Sequence, residues 1–133
     1  MVLVAGAVTF LGQHVASSRG SGKGDKEVSF KEDVFPIFKK QCLPCHAEDN
    51  YNPSELSLDS YERLVAGGEH GVPVAPGNAK ESILIQKLGP KPPFGRRMPL
   101  DPKVKKGEVS DKRLTDEEVK TVTDWVEQGA KNN

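Results

Sequence analysis

Apolar residues along the chain fall into short stripes of helical spacing, and each stripe follows a residue suited to capping a helix. Ser29 precedes Phe30, Val34, Ile37 and Phe38, which line one face as far as Cys42, and Glu32 stands where a capping box needs it. Pro36 falls inside this stripe, so the helix bends there or splits off its first turn. A second, short helix follows Ser60, turns Tyr61, Leu64 and Val65 inward and stops at Gly67-Gly68. A third is capped by Asn78, with Glu81 at its third position, carries Ile83, Leu84 and Leu88, and is closed by Gly89-Pro90. The fourth repeats this grammar: Thr115 caps, Glu118 completes the box, Val119, Val122, Trp125 and Val126 form the stripe, and Gly129 ends it. No segment alternates as a strand would, and there is no internal repeat. The pattern predicts an all-α domain of about four helices with long loops.

The segments between the stripes are of two kinds. Lys87 to Arg113 carries Pro90, Pro92, Pro93, Pro99 and Pro102 around Phe94 and Met98, too much proline for a helix or an inner strand. A stretch of that length without regular structure is usually functional or disordered. At the other end, Val2 to Leu11 is an uncharged, mostly apolar run followed by Ala16-Ser17-Ser18, which reads as a secretory signal over residues 1–18 with cleavage after Ser18. No Lys or Arg precedes the run, so its positive end is the amino terminus alone or the true start lies upstream. A run of about 10 apolar residues falls short of the ~20 that span a bilayer, so the expectation is an exported, periplasmic protein without a permanent anchor. Arg19 to Asp25 is rich in Gly and Ser and marks residues 19–28 as a flexible linker ahead of a domain at 29–133. Its glycines lack the spacing of a phosphate loop.

Composition changes the picture in one respect. The chain has 133 residues, room for one small domain. Of its apolar residues 11 lie in the first 18, leaving 36 in the remaining 115, about 31%. That is thin for a packed core, and something other than side chains is expected to fill part of the interior. The charge sums to zero from unequal parts: Leu43 to Gln86 is net −5, Lys87 to Arg113 net +6 and the last 20 residues net −3. A nucleic-acid binder, which needs a clustered positive excess, gets little support.

The strongest chemical signal is Cys42-Leu43-Pro44-Cys45-His46. C-x-x-C-H is the pattern of covalent c-type haem attachment: cysteines three apart at a helix end share a face, so each sulfur can form a thioether with one haem vinyl group, and the adjacent histidine becomes the proximal iron ligand. A thioredoxin-like pair would want a βαβ setting, a zinc site would want four ligands where the mature chain offers these three and the distant His70, and a plain disulfide leaves His46 without a role. One covalent haem would also supply the missing apolar core. Met98 is the only methionine outside the signal-like segment and is the favoured distal ligand, against the commoner use of methionine as core filler. His70, in a glycine-rich loop, is the rival. Trp125 is expected to pack against Phe35 or Phe38, and Arg96 and Arg97 either to neutralise haem propionates or to face solvent in a partner-binding patch.

Taken together, Val34-Phe35-Pro36-Ile37-Phe38, the CLPCH motif, Leu56-Ser57-Leu58-Asp59-Ser60-Tyr61, Ala66-Gly67-Gly68, Pro76-Gly77-Asn78, Glu81-Ser82-Ile83-Leu84, Arg97-Met98-Pro99 and Trp125-Val126-Glu127-Gln128-Gly129-Ala130 resemble the planctomycete-type cytochrome c domain family, over Phe30 to Ala130. The resemblance implies a single-haem, class-I-like cytochrome c fold with crossing first and last helices, an exposed haem edge and His/Met coordination. Ala47 stands where such domains frequently have glycine. The expected function is single-electron transport between redox partners, not catalysis, with acidic partner surfaces steered toward the basic segment around Met98. Two alternatives come from other classes: a haem enzyme or gas sensor with a displaceable distal ligand, and an electron-entry subunit of a larger dehydrogenase.

Overall fold

Pro36 divides the first helix. In the computed structural model, which describes residues 26–101 and 113–133, a π-helical turn at Phe30–Val34 runs directly into α1, Phe35–Gln41. A proline ring collides with the carbonyl four residues back, and the wider π turn relieves that collision while Phe35 N–H reaches back to Phe30 O. Ser29 accepts from Glu32 N as expected, but the reciprocal half of the box is closed by Asp33, whose Oδ2 accepts from Ser29 N at 2.8 Å. The signal-like segment 1–18, the linker as far as residue 25 and residues 102–112 of the proline-rich loop lie outside the described residues.

Three further α-helices follow: α2, Tyr61–Ala66; α3, Ile83–Leu88; and α4, Asp116–Glu127. Two short 3-10 turns, Pro53–Glu55 and Ala79–Glu81, complete the regular structure, and the described residues contain no strand beyond an isolated Gly68–Gly71 bridge. The helix expected from Asn78 to Leu88 is thus two pieces. Asn78 caps only the 3-10 turn, and Ser82 adopts an extended conformation before α3 begins. The cause is the buried Ser82 hydroxyl, which accepts from Ala75 N at 2.8 Å and donates to Asn78 O at 3.0 Å, a local bonding option that competes with the helical ladder. Val65, expected to face inward, is 41% exposed. In so short a helix Tyr61 and Leu64 take the inward face, and Val65 is rotated about 100° away from Leu64. α4 keeps both halves of its capping box, Thr115 with Glu118.

Phe30 is the hub of the aromatic core. Its ring lies 5.4 Å from both Trp125 and Tyr61, 5.8 Å from Phe35 and 6.2 Å from Phe38. The tryptophan of α4 therefore stacks on Phe30 of the π turn, within the same core cluster as Phe38 and with Phe35 packed against it. Val34, Leu64, Val122 and Val126, all fully buried, complete the interior. Burying each such side chain stabilises the fold by about 1.5–3 kcal/mol. Polar ties close the ends: Tyr61 Oη donates to Ala130 O at 2.9 Å, Trp125 Nε1 to Lys131 O at 2.9 Å, and Gly77 N to Val126 O at 2.7 Å.

Candidate functional site

α1 delivers the CLPCH motif and ends in it. Cys42 N and Leu43 N both donate to Phe38 O, and the carbonyl of Cys42 accepts from Cys45 N at 3.0 Å and from His46 N at 2.8 Å, so the five residues continue the helix as a tight turn. Cys42 and Cys45 are half-buried thiols and are not joined to each other. Leu43 and the cysteine at position 42 pack against the core, which fixes the turn to the rest of the molecule.

His46 is held from three sides. Its backbone carbonyl accepts from Leu58 N at 2.8 Å, its amide is taken by Cys42, and its ring Nδ1 lies 3.1 Å from Leu56 O. A carbonyl only accepts, so Nδ1 carries the proton and Nε2 keeps its lone pair. Burial pushes the imidazole below its ordinary pKa, against the opposing pull of the Leu56 carbonyl and with a smaller push from the Lys87 ammonium. A neutral imidazole whose second nitrogen donates to a backbone carbonyl is the form in which histidine ligates a metal.

The segment that supplies Leu56 is itself clamped. Asn52 N donates to Cys45 O at 2.8 Å, Glu69 N donates to Ser54 O at 2.9 Å, and Gly68 lies so close that a Cβ there would stand 2.4 Å from Ser54 O. The glycine pair that ends α2 thus also backs the loop holding the histidine.

Met98 is half-buried, and its N–H donates to Lys87 O at 2.7 Å, hanging its loop from the last turn of α3. Arg97 adds a second tie, its Nε donating to Leu88 O at 2.7 Å. That guanidinium is committed to the helix end, whereas Arg96 is exposed. His70 is also exposed, and its ring stacks on Phe94 with centroids 4.0 Å apart. The structure therefore brings together Cys42, Cys45 and His46 in one turn, and ties Met98 to a lysine whose charge is felt at His46. Lys87 had stood in the sequence only as one of many bases, yet it is buried; its place in the last helical turn before a proline-rich loop was the available signal.

Residues 42–99 match the planctomycete cytochrome C family. The matched segment begins at the first motif cysteine, ends at the proline after Met98, and agrees with the family that the motif set resembles. No curated protein and no solved structure shows a significant match to the chain. The donors present would fit a covalently held haem: two thiols at the required spacing, and an imidazole oriented by Leu56 with the lone pair on Nε2. Among the described residues, no group of three or more His, Cys, Asp and Glu is placed to hold a metal ion. No helix of the described residues is long and apolar enough to cross a membrane.

Proposed function

We propose that the protein is an exported monohaem c-type cytochrome that carries single electrons between redox partners. The observation that carries this reading is the hydrogen bond from His46 of the CLPCH turn to the Leu56 carbonyl, within a segment matching the planctomycete cytochrome C family. Cys42 and Cys45 would hold the haem through thioethers, with His46 as the proximal iron ligand and Met98 as the distal one. Bound haem supplies a one-electron ferric/ferrous couple.

The chain's own residues set how that couple behaves. The Leu56 carbonyl keeps the proton on Nδ1 and increases the basicity of Nε2. Leu43 and Leu56, packed against the core, limit water around the motif turn. The thioether of Met98 would raise the potential relative to a harder ligand. Exposed Lys91 and Arg96 in the Met98 loop favour acidic docking surfaces on the partners. His70 stacks on Phe94 and serves the loop in this reading, not the iron.

Absorption spectra of the purified protein before and after reduction test the reading. Low-spin iron with the methionine charge-transfer band in the ferric state supports a carrier. High-spin iron that binds exogenous ligands rapidly would replace it with the enzyme or sensor alternative.

A further inference from the structure

The Met98 loop is folded around one cation. Lys87 Nζ donates to Phe94 O at 2.7 Å and to Arg96 O at 2.6 Å, and lies 4.7 Å from the centroid of the Phe94 ring. Gly95, at φ +56°, turns the two carbonyls on either side of it toward the same ammonium; a Cβ on Gly95 would stand 3.5 Å from Nζ. The backbone of the same lysine accepts the Met98 N–H at 2.7 Å. His70 covers Phe94 from the Gly67–Gly71 loop. One residue of α3 thus grips the loop at three carbonyl or amide groups between positions 94 and 98, and the surrounding sequence offers no regular structure to do so.

We infer that Lys87 is a positioning residue for the distal ligand, an internal latch whose ammonium fixes the 94–98 loop and so keeps Met98 from swinging away from the iron. This rests on Met98 being the distal ligand. An ammonium holding two carbonyls and an aromatic face makes charge-assisted contacts, which are stronger than neutral ones. Losing them raises the population of open loop by roughly tenfold or more, equivalent to ~1.4 kcal/mol or more.

The test uses the full haem-loaded protein and its Lys87→Met variant, which keeps the length and apolar stem. Two readouts are taken: the rate of carbon monoxide binding to the ferrous form, which requires Met98 to leave, and hydrogen exchange at the Met98 amide, which does not depend on what ligates the iron. Both are expected to rise roughly tenfold. Unchanged carbon monoxide binding and unchanged exchange in the folded variant would overturn the latch. If Lys87→Met does not fold, the wild-type ammonium decides: its protons should exchange slowly and show scalar coupling to the Phe94 and Arg96 carbonyls, and a freely exchanging ammonium would overturn the proposal. A wild-type spectrum lacking the methionine band would defeat the ligand assignment instead, while the amide exchange would still report on the latch.

Discussion

His46 Nδ1–H donates a hydrogen bond to the carbonyl of Leu56, ten residues further along the chain, at 3.1 Å. Because the acceptor is a backbone group, it depends on how tightly the 52–58 segment is held, and Gly68 backs that segment at Ser54, Glu55 and Leu56. Gly68→Ala places a Cβ 2.4 Å from Ser54 O and forces the loop to move, which should cost about 1–3 kcal/mol and shift the reduction potential. Gly77→Ala is the control: nothing lies within 4 Å, but φ is +79°, so only the left-handed backbone is penalised, by about 1–2 kcal/mol, with no change in potential. Denaturant unfolding and redox titration of the two variants separate these effects.

Met98→Ala should convert ferric iron from low to high spin, abolish the methionine band and lower the potential. Absorption spectroscopy with redox titration checks this. An unaltered spectrum would move the distal role elsewhere, and the exposed His70 would be the first residue to substitute next.

The first helix is capped from the far end of the chain. Asn133 Oδ1 accepts from Phe30 N at 2.8 Å, and its backbone O accepts from Lys31 N and from Ser29 Oγ, each at 3.0 Å. Asn133→Ala leaves the Phe30 amide without this partner and should cost about 1 kcal/mol of stability, measured as a lower urea midpoint at constant m-value. An unchanged midpoint would show that water replaces the cap without loss.

Glu118 gives an acid-sensitive contribution. The Thr115 N–H is the main cause that holds its carboxyl below the ordinary value; partial burial opposes this, and Lys40 assists. A group depressed on folding stabilises the fold above its unfolded pKa, and that stabilisation is lost as pH falls through the folded value. Wild type should therefore lose about 1 kcal/mol more on acidification than Glu118→Gln, by urea unfolding at neutral and acidic pH. Equal acid sensitivity would assign the loss to other groups.

The capping residues make most of the helices legible in the sequence, because Ser29, Ser60, Asn78 and Thr115 act on donors only three residues away. Ser82 was not legible: its partners at Ala75 and Asn78 exist only once the chain has turned back on itself. The CLPCH motif was readable because its chemistry is set by side-chain identity at fixed spacing. The groups that orient it were not, since Leu56 contributes a carbonyl that every residue possesses and Gly68 contributes closeness. Lys87 was hidden in the opposite way. Counted among the nine bases between Lys87 and Arg113, it looked like part of a docking surface, whereas it is buried and spent on the Phe94 and Arg96 carbonyls.

Covalent haem attachment is the claim on which the rest depends. The most direct measurement is the haem content of the polypeptide after denaturation and acidified organic extraction, in wild type and in Cys42→Ala/Cys45→Ala. Haem that stays with the denatured wild-type chain and is lost from the double variant is the expected result. Haem that extracts from the wild type, or that survives in the double variant, would contradict attachment at Cys42 and Cys45.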